Sequence, residues 1–289
     1  MKITSAIYNK LQLNSYIEYI DSALLMTKEY SLVYDDLNLD DAIKICLNNN
    51  VMPIISINKI ITPNDTKLVY SLLEKYKDNS NIYFYVTDLG CARIGINLNI
   101  INRMIFNPET MIANTLDLIE YASLGFDALA MSHEITLEDF IKSYNETKLD
   151  LFYLGLGHRL MFYSKRKLIS LYEAKNNTKY PKENLYLREA TRKDYLPIIE
   201  NDNGTVIYRS YIISLVNEID ELSFLKYFLC DPLYIDSTSY LNALKAISNY
   251  HKNKIAKNEM LDIINNLHFN IEDGFKYNDS VYQKEELKK

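Results

Sequence analysis

Seven short apolar runs, at residues 3–8, 23–27, 52–57, 82–86, 104–106, 128–131 and 151–156, recur along the first half of the chain, each too short to be a helix. Amphipathic segments separate them. Thr62-Pro63 opens one such segment, with Thr as N-cap, Pro at the first helical position and Leu68, Val69, Leu72, Leu73 and Tyr76 on one face. Asn107-Pro108-Glu109 opens the next in the same way, with Ile112, Thr115, Leu116, Ile119 and Ala122 as its buried stripe and Gly125 as its stop. Thr136-Leu137-Glu138-Asp139 caps a third. Strands that alternate with helices at this spacing imply parallel βαβ units. About seven of them before residue 172 predict an α/β fold of the TIM-like (β/α) barrel type rather than an open sheet.

The seventh run leads into LGLGHRLMFYSKRKLISLY, residues 154–172, where His158, Arg159, Tyr163, Ser164, Lys165 and Arg166 follow a buried strand directly. Gly155 and Gly157 allow close approach of a backbone or a ligand, and the chain then turns into a helix. Side chains there gather at the carboxyl end of the strand, the edge where α/β folds bind ligands. His158 supplies a titratable imidazole and Arg159 a fixed charge suited to phosphate or carboxylate. Ser164, just ahead of Lys165-Arg166-Lys167, reads as an N-cap rather than a nucleophile. Glu134 follows the sixth strand: it serves there as a base or ligand, or as a helix-entry carboxylate favoured by the dipole. His133 beside it is an acid or base near neutral pH, or a structural loop histidine. No GxSxG or HExxH motif is present, so no known hydrolytic constellation can be assembled locally.

Beyond residue 172 the rhythm breaks. Residues 173–197 are polar and lysine-rich and predict a surface excursion, and Asn201-Asp202-Asn203-Gly204 marks a hairpin turn between apolar flanks. Residues 233–235 are taken as the last barrel strand, followed by a helix over 237–250 and a further helix and tail that return to the barrel. The chain thus divides into the main part of the barrel (1–172), an insertion with a β-hairpin (173–232) and a closing part (233–289).

Charge is uneven along this order. The whole chain carries −6, yet residues 158–193 hold ten Lys and Arg against three Glu, so that window carries +7. Its cations, Lys175, Lys179 and Lys182 among them, interleave with Phe162, Tyr163, Tyr172, Tyr180 and Tyr186. That combination suits single-stranded RNA, and it equally describes a solvated lysine-rich loop. Three scattered cysteines, Cys46, Cys91 and Cys230, fit a reducing compartment and supply neither a disulfide framework nor a local metal motif. Apolar runs far below the roughly 18 residues of a membrane helix, and a start without a signal-peptide core, predict a cytoplasmic protein without membrane contact.

Five segments in order, Asn107-Pro108-Glu109-Thr110, the run from Ser132 to Glu138 (SHEITLE), LGLGHRLMFYSKRKLIS, PIIENDNGT at 197–205 and Gly274-Phe275-Lys276-Tyr277, resemble the collagenase-like U-thirty-two peptidase family over about residues 100–282. The resemblance implies a barrel and two kinds of activity. Some members are named peptidases, without an agreed catalytic set; others are similar to RNA hydroxylation factors for tRNA wobble uridine or ribosomal RNA, or to paired ubiquinone-hydroxylation proteins with a four-cysteine iron–sulfur cluster. With no cysteine between Cys91 and Cys230, the four-thiolate cluster is not expected here. His133 stands where arginine is common, and Arg209 where asparagine is common. The cofactor is open. The expected function is RNA modification, namely tRNA uridine hydroxylation, with tRNA or another RNA as partner; peptidase activity, or a non-catalytic half of a heterodimer with a second family member, are the alternatives. The candidate catalytic residues are Glu134, His158 and Arg159. The candidate substrate-binding residues are His133, Tyr163, Lys165, Arg166, Lys175, Lys179, Lys182, Glu200 and Arg209.

Overall fold

A computed structural model of the chain describes residues 1–181, 185–191 and 193–277. Parallel strands β1 (Lys2–Ile7), β2 (Ser22–Leu25), β3 (Met52–Ile57), β4 (Tyr83–Val86), β5 (Met104–Phe106) and β6 (Ala128–Leu129) lead into β7 (Phe152–Ser164). Helices α1 (Lys10–Tyr16), α2 (Leu39–Asn48), α3 (Thr66–Tyr76), α4 (Leu89–Asn97), α5 (Thr115–Ala122) and α6 (Leu137–Thr147) connect them. The chain continues through α7 (Leu168–Asn176), β8 (Tyr186–Leu187), β9 (Leu196–Asn201), β10 (Gly204–Ser214), β11 (Tyr227–Cys230), α8 (Ser237–His251) and α9 (Lys257–Asn265).

The strands form one curled sheet in the order β6-β5-β4-β3-β2-β1-β11-β7-β10-β9-β8, parallel from β6 to β7 and antiparallel beyond it. The free edges of β6 and β7 approach each other at a single parallel bridge, Leu129 to Leu151, and the Leu129 N–H donates to the Asp150 carbonyl at 3.1 Å. Both faces of the parallel strands are buried, which is why they read as unbroken apolar runs. One face (Ala6, Leu24, Ile54, Tyr85, Ile105, Phe152, Leu229) packs inside the curl. The other (Ile7, Leu25, Ile55, Phe84, Val86, Phe228) packs against the helices through residues such as Leu13, Leu72, Phe140 and Leu244. This is a TIM-like α/β architecture.

Several expectations move. The last parallel strand is β11 at Tyr227–Cys230, not residues 233–235, because Tyr227 to Cys230 pair with both β1 and β7 while Tyr234 has a left-handed φ of 59° in the loop beyond. α3 and α5 begin later than Thr62 and Asn107. Asp65 accepts from the Thr62 N–H and hydroxyl, at 2.9 and 2.5 Å, so the Thr-Pro signal builds a loop. Asn107 Oδ1 accepts from the Glu109 N–H at 2.9 Å, Glu109 takes a φ of 59°, and Asn114 caps α5 instead. The later start rotates α5, so Leu118 is buried while Leu116 and Ile119 face outward. Thr136 caps α6 as expected, accepting from the Asp139 N–H at 3.1 Å.

The largest departure is β7, which does not end near Leu156 but runs to Ser164 as an arm. β10 pairs with it antiparallel, and β9 returns through the Asn201 to Gly204 turn, where the hairpin was expected. Ser164 therefore closes a strand and is no helix cap; its Oγ accepts from the Arg166 N–H at 3.2 Å. The hairpin tip folds over the loop after β2. Asn203 Nδ2 donates to the Lys28 and Ser31 carbonyls at 2.9 and 2.8 Å, and Asn201 Nδ2 to the Leu32 carbonyl at 2.8 Å. The C-terminal segment returns to the curled sheet and its helices: Leu137 N–H donates to the Lys276 carbonyl at 2.9 Å, and Lys276 Nζ lies 3.2 Å from Glu218.

Candidate functional site

The carboxyl ends of the parallel strands open into a cavity of about 80 Å³. β1 delivers Tyr8, β3 Asn58, β4 Tyr85, β5 Asn107 and Glu109, β6 His133, β7 His158 and Arg159, and β11 Asp231; the arm adds Tyr208 from β10. Gly157, at a φ of 151°, fits here because any Cβ would meet that of Asp231 at 3.0 Å. Gly155 instead accommodates the Phe228 ring in the core.

Two carboxyl groups share this cavity. Asp231 accepts from the Tyr8 hydroxyl at 3.1 and 3.2 Å and from the Leu233 N–H at 3.0 Å. Burial outweighs those bonds and pushes it up to about 6. Glu109 sits where its left-handed backbone turns it to the cavity wall. Burial raises it to about 7, with the positive charge of Arg159 pulling the other way. The hydroxyls of Tyr85 and Tyr208 are raised far above the usual phenol range, by burial first and then by these carboxylates, so they remain neutral hydrogen-bonding groups. Asn107 Nδ2 donates to Tyr85 Oη at 2.5 Å, linking the Glu109 loop to the next strand.

Arg159 is 7% exposed, its guanidinium 5.6 Å from the centre of the Phe275 ring. Among the described residues no carboxylate lies within ion-pair distance of it; the field of Glu134 reaches it only at longer range. A buried guanidinium without a counter-ion is costly and suits an anionic ligand.

The other expected residues separate. His158 lines the cavity, with Nδ1 2.8 Å from the Arg209 carbonyl, and burial lowers its imidazole. His133 also lines it, its ring tilted at 46° against that of Tyr153 with centres 4.2 Å apart. Burial and then Arg159 push it down to about 3, so it is a neutral imidazole rather than an acid or base near pH 7. Glu134 is exposed on the loop after β6 and does not line the cavity. Tyr163 is half-buried near Glu109, and Lys165 Nζ lies 3.5 Å from Asp65. Arg209 meets His158 through its backbone carbonyl. Glu200 is committed elsewhere, accepting from the Ile169 and Ser170 N–H groups at 2.7 and 3.1 Å at the start of α7. Arg166, Lys175 and Lys179 are exposed, and Lys182 lies outside the described residues.

Sequence reasoning missed Glu109 and Asp231 as site residues, together with Tyr8, Tyr85 and Tyr208. The only signal for Glu109 was its place in the NPET segment; Asp231 gave none.

An iron–sulfur cluster does not fit these residues. Cys46, Cys91 and Cys230 stand on α2, α4 and β11, all buried, and burial raises each thiol, the first two to about 12. No group of three or more His, Cys, Asp or Glu that could hold a metal is found among the described residues. No helix among them is long and apolar enough to cross a membrane.

No curated protein matches the chain. Among solved structures it is similar to one described as the U32 peptidase Mk0906, at 9% identity and a TM-score of 0.51 over 80% of this chain and 92% of that one, a likeness of fold. It is also similar to the 3-dehydroquinate dehydratase from Aquifex aeolicus VF5, at 12% identity and a TM-score of 0.44 over 92% and 98% of the two chains. The sequence pattern of peptidase family U32 matches residues 28–229, most of the chain, with both the Glu109 loop and the β7–β10 arm inside it; the chain belongs to peptidase family U32.

Proposed function

We propose that the cavity is an acid–base site for one nucleotide of an RNA, and that the reaction is base modification, with hydroxylation of a tRNA uridine as the specific reading. The observation that carries it is the pairing of two proton-holding carboxyls, Glu109 and Asp231, with the unpaired guanidinium of Arg159. Near neutral pH such carboxyls can both give and take a proton. Arg159 would hold a phosphate or a base carbonyl. The cavity opens at the carboxyl edge of the strands, where a base turned out of its stack would have to enter. The eight parallel strands are taken as a barrel closed at the Leu129–Leu151 bridge, with the site at its carboxyl edge. The hydroxyl donor would be a diffusible co-reactant, and a cytoplasmic setting fits three unpaired thiols.

Mass spectrometry of nucleosides from a deletion strain tests this directly. One modified base should vanish, return with the wild-type chain, and fail to return with Glu109→Gln or Asp231→Asn. An unchanged nucleoside profile would refute the reading.

Peptide hydrolysis is the second reading, favoured by the same carboxyl pair, which could activate water and protonate a leaving amine. Cleavage of gelatin or casein that disappears in Asp231→Asn would establish it. A heterodimeric role is the third, supported by the outward-facing Leu116 and Ile119 on α5.

A further inference from the structure

Aromatic rings continue from the cavity onto the outside of the arm. The His158 ring lies 6.3 Å from that of Tyr234, and Tyr234 lies 5.9 Å from Tyr186. Tyr186 borders an open groove of about 430 Å³ between α7 and the β8–β9 pair, walled also by Tyr172 and Tyr180 and otherwise by Leu and Ile side chains. Tyr172 and Tyr180 face each other at 6.3 Å and 41°. All three groove tyrosines are about half exposed. A groove that merely completed the core would bury such rings.

The surrounding charge says what covers them. Lys175 and Lys179 stand exposed on the same segment, in the one strongly basic window of an acidic chain. An apolar protein segment laid in the groove would gain nothing from that charge, whereas a single-stranded polyanion gains from both the rings and the lysines. Paired bases would hide their faces, so a duplex would not fit.

We infer that the groove under α7 is a stacking track for the bases that flank the target nucleotide in single-stranded RNA, with Tyr172, Tyr180 and Tyr186 as its platforms and Lys175 and Lys179 on its phosphates. This rests on the RNA reading of the cavity and names the substrate's form: a loop or unpaired stretch, held by neighbours of the reacting residue.

The experiment is binding of a labelled uridine-rich RNA octamer to the full chain by fluorescence anisotropy across a salt series, with crosslinking of a 4-thiouridine version to the wild type. Tyr172→Ala, Tyr180→Ala and Tyr186→Ala should each weaken the octamer by about tenfold, while the Phe replacements stay within about twofold. Lys175→Glu with Lys179→Glu should flatten the dependence of log affinity on log salt by roughly 1. Crosslinks should fall within residues 168–187, a readout independent of how any variant folds. Undiminished binding by the Ala variants, with crosslinks confined to Tyr163 or Tyr208 at the cavity, would overturn the track and leave the RNA reading standing. No octamer binding at any salt, or occupation of the groove by an apolar peptide alone, would sink both.

Discussion

Glu109 and Asp231 are shifted upward for the same reason: each carboxyl is buried where the charged form loses water. That has a measurable sign. An unfolded Glu or Asp releases its proton near pH 4, so between about pH 4 and 7 the folded chain binds more protons than the unfolded one. Stability from these groups is therefore present below pH 4 and is lost as pH rises through 6 and 7. Glu109→Gln removes one such group. Its melting temperature should exceed that of the wild type at pH 8, by the equivalent of about 1 kcal/mol, and converge with it near pH 4. A difference independent of pH would show that Glu109 ionises normally. Arg159 makes the converse case. Replacing this buried, unpaired cation by Met removes an uncompensated charge, so Arg159→Met should melt at a temperature at least equal to the wild type while activity falls by about a hundredfold or more. Loss of both together would make Arg159 a structural residue.

The elements differ in how much of them the sequence carries. The parallel strands were legible because both their faces are buried, so no alternation blurs the runs. The helix starts at Thr62 and Asn107 were not. Thr62 donates its N–H and hydroxyl to Asp65 instead of accepting as a cap would, and the bond that Asn107 accepts from the Glu109 N–H looks alike in a cap and in a loop; here both build loops. The second of those loops aims Glu109 at the cavity, so the misread element concealed a site residue. His158 and Arg159 were legible through their place after a core strand. Glu109 and Asp231 are 122 positions apart in the numbering and come to line one cavity only through the curl of the sheet, which no local spacing records. Glu200, named as a candidate substrate-binding residue, accepts from the first N–H groups of α7 from its place on β9, while Thr205 Oγ1 accepts from the Leu168 N–H at 2.9 Å. Glu200→Ala should speed hydrogen exchange of the Ile169 and Ser170 amides by roughly tenfold, a cap's worth of about 1 kcal/mol. The global melt should barely change, because α7 lies outside the main core.

For the molecule as a whole, the sheet has one weak seam. β1 to β4 share four-residue ladders, whereas β6 and β7 meet at a single bridge, with Lys226 bridging Asp127 and Asp150 at 2.9 and 2.8 Å beneath it. Exchange measured by mass spectrometry should therefore be faster at residues 128–130 than at 54–57. Equal protection would mean that the seam opens only with the whole fold. The middle of the sheet has a different consequence, one of timing. β1 precedes the other strands in the chain, yet its second neighbour is β11, with Lys2 beside Tyr227 and Ser5 beside Cys230. One edge of the earliest strand therefore stays without its partner until more than two hundred further residues have been synthesised. For that interval the nascent chain presents an apolar strand edge to whatever is nearby, and chaperone dependence during translation is built into the strand order itself.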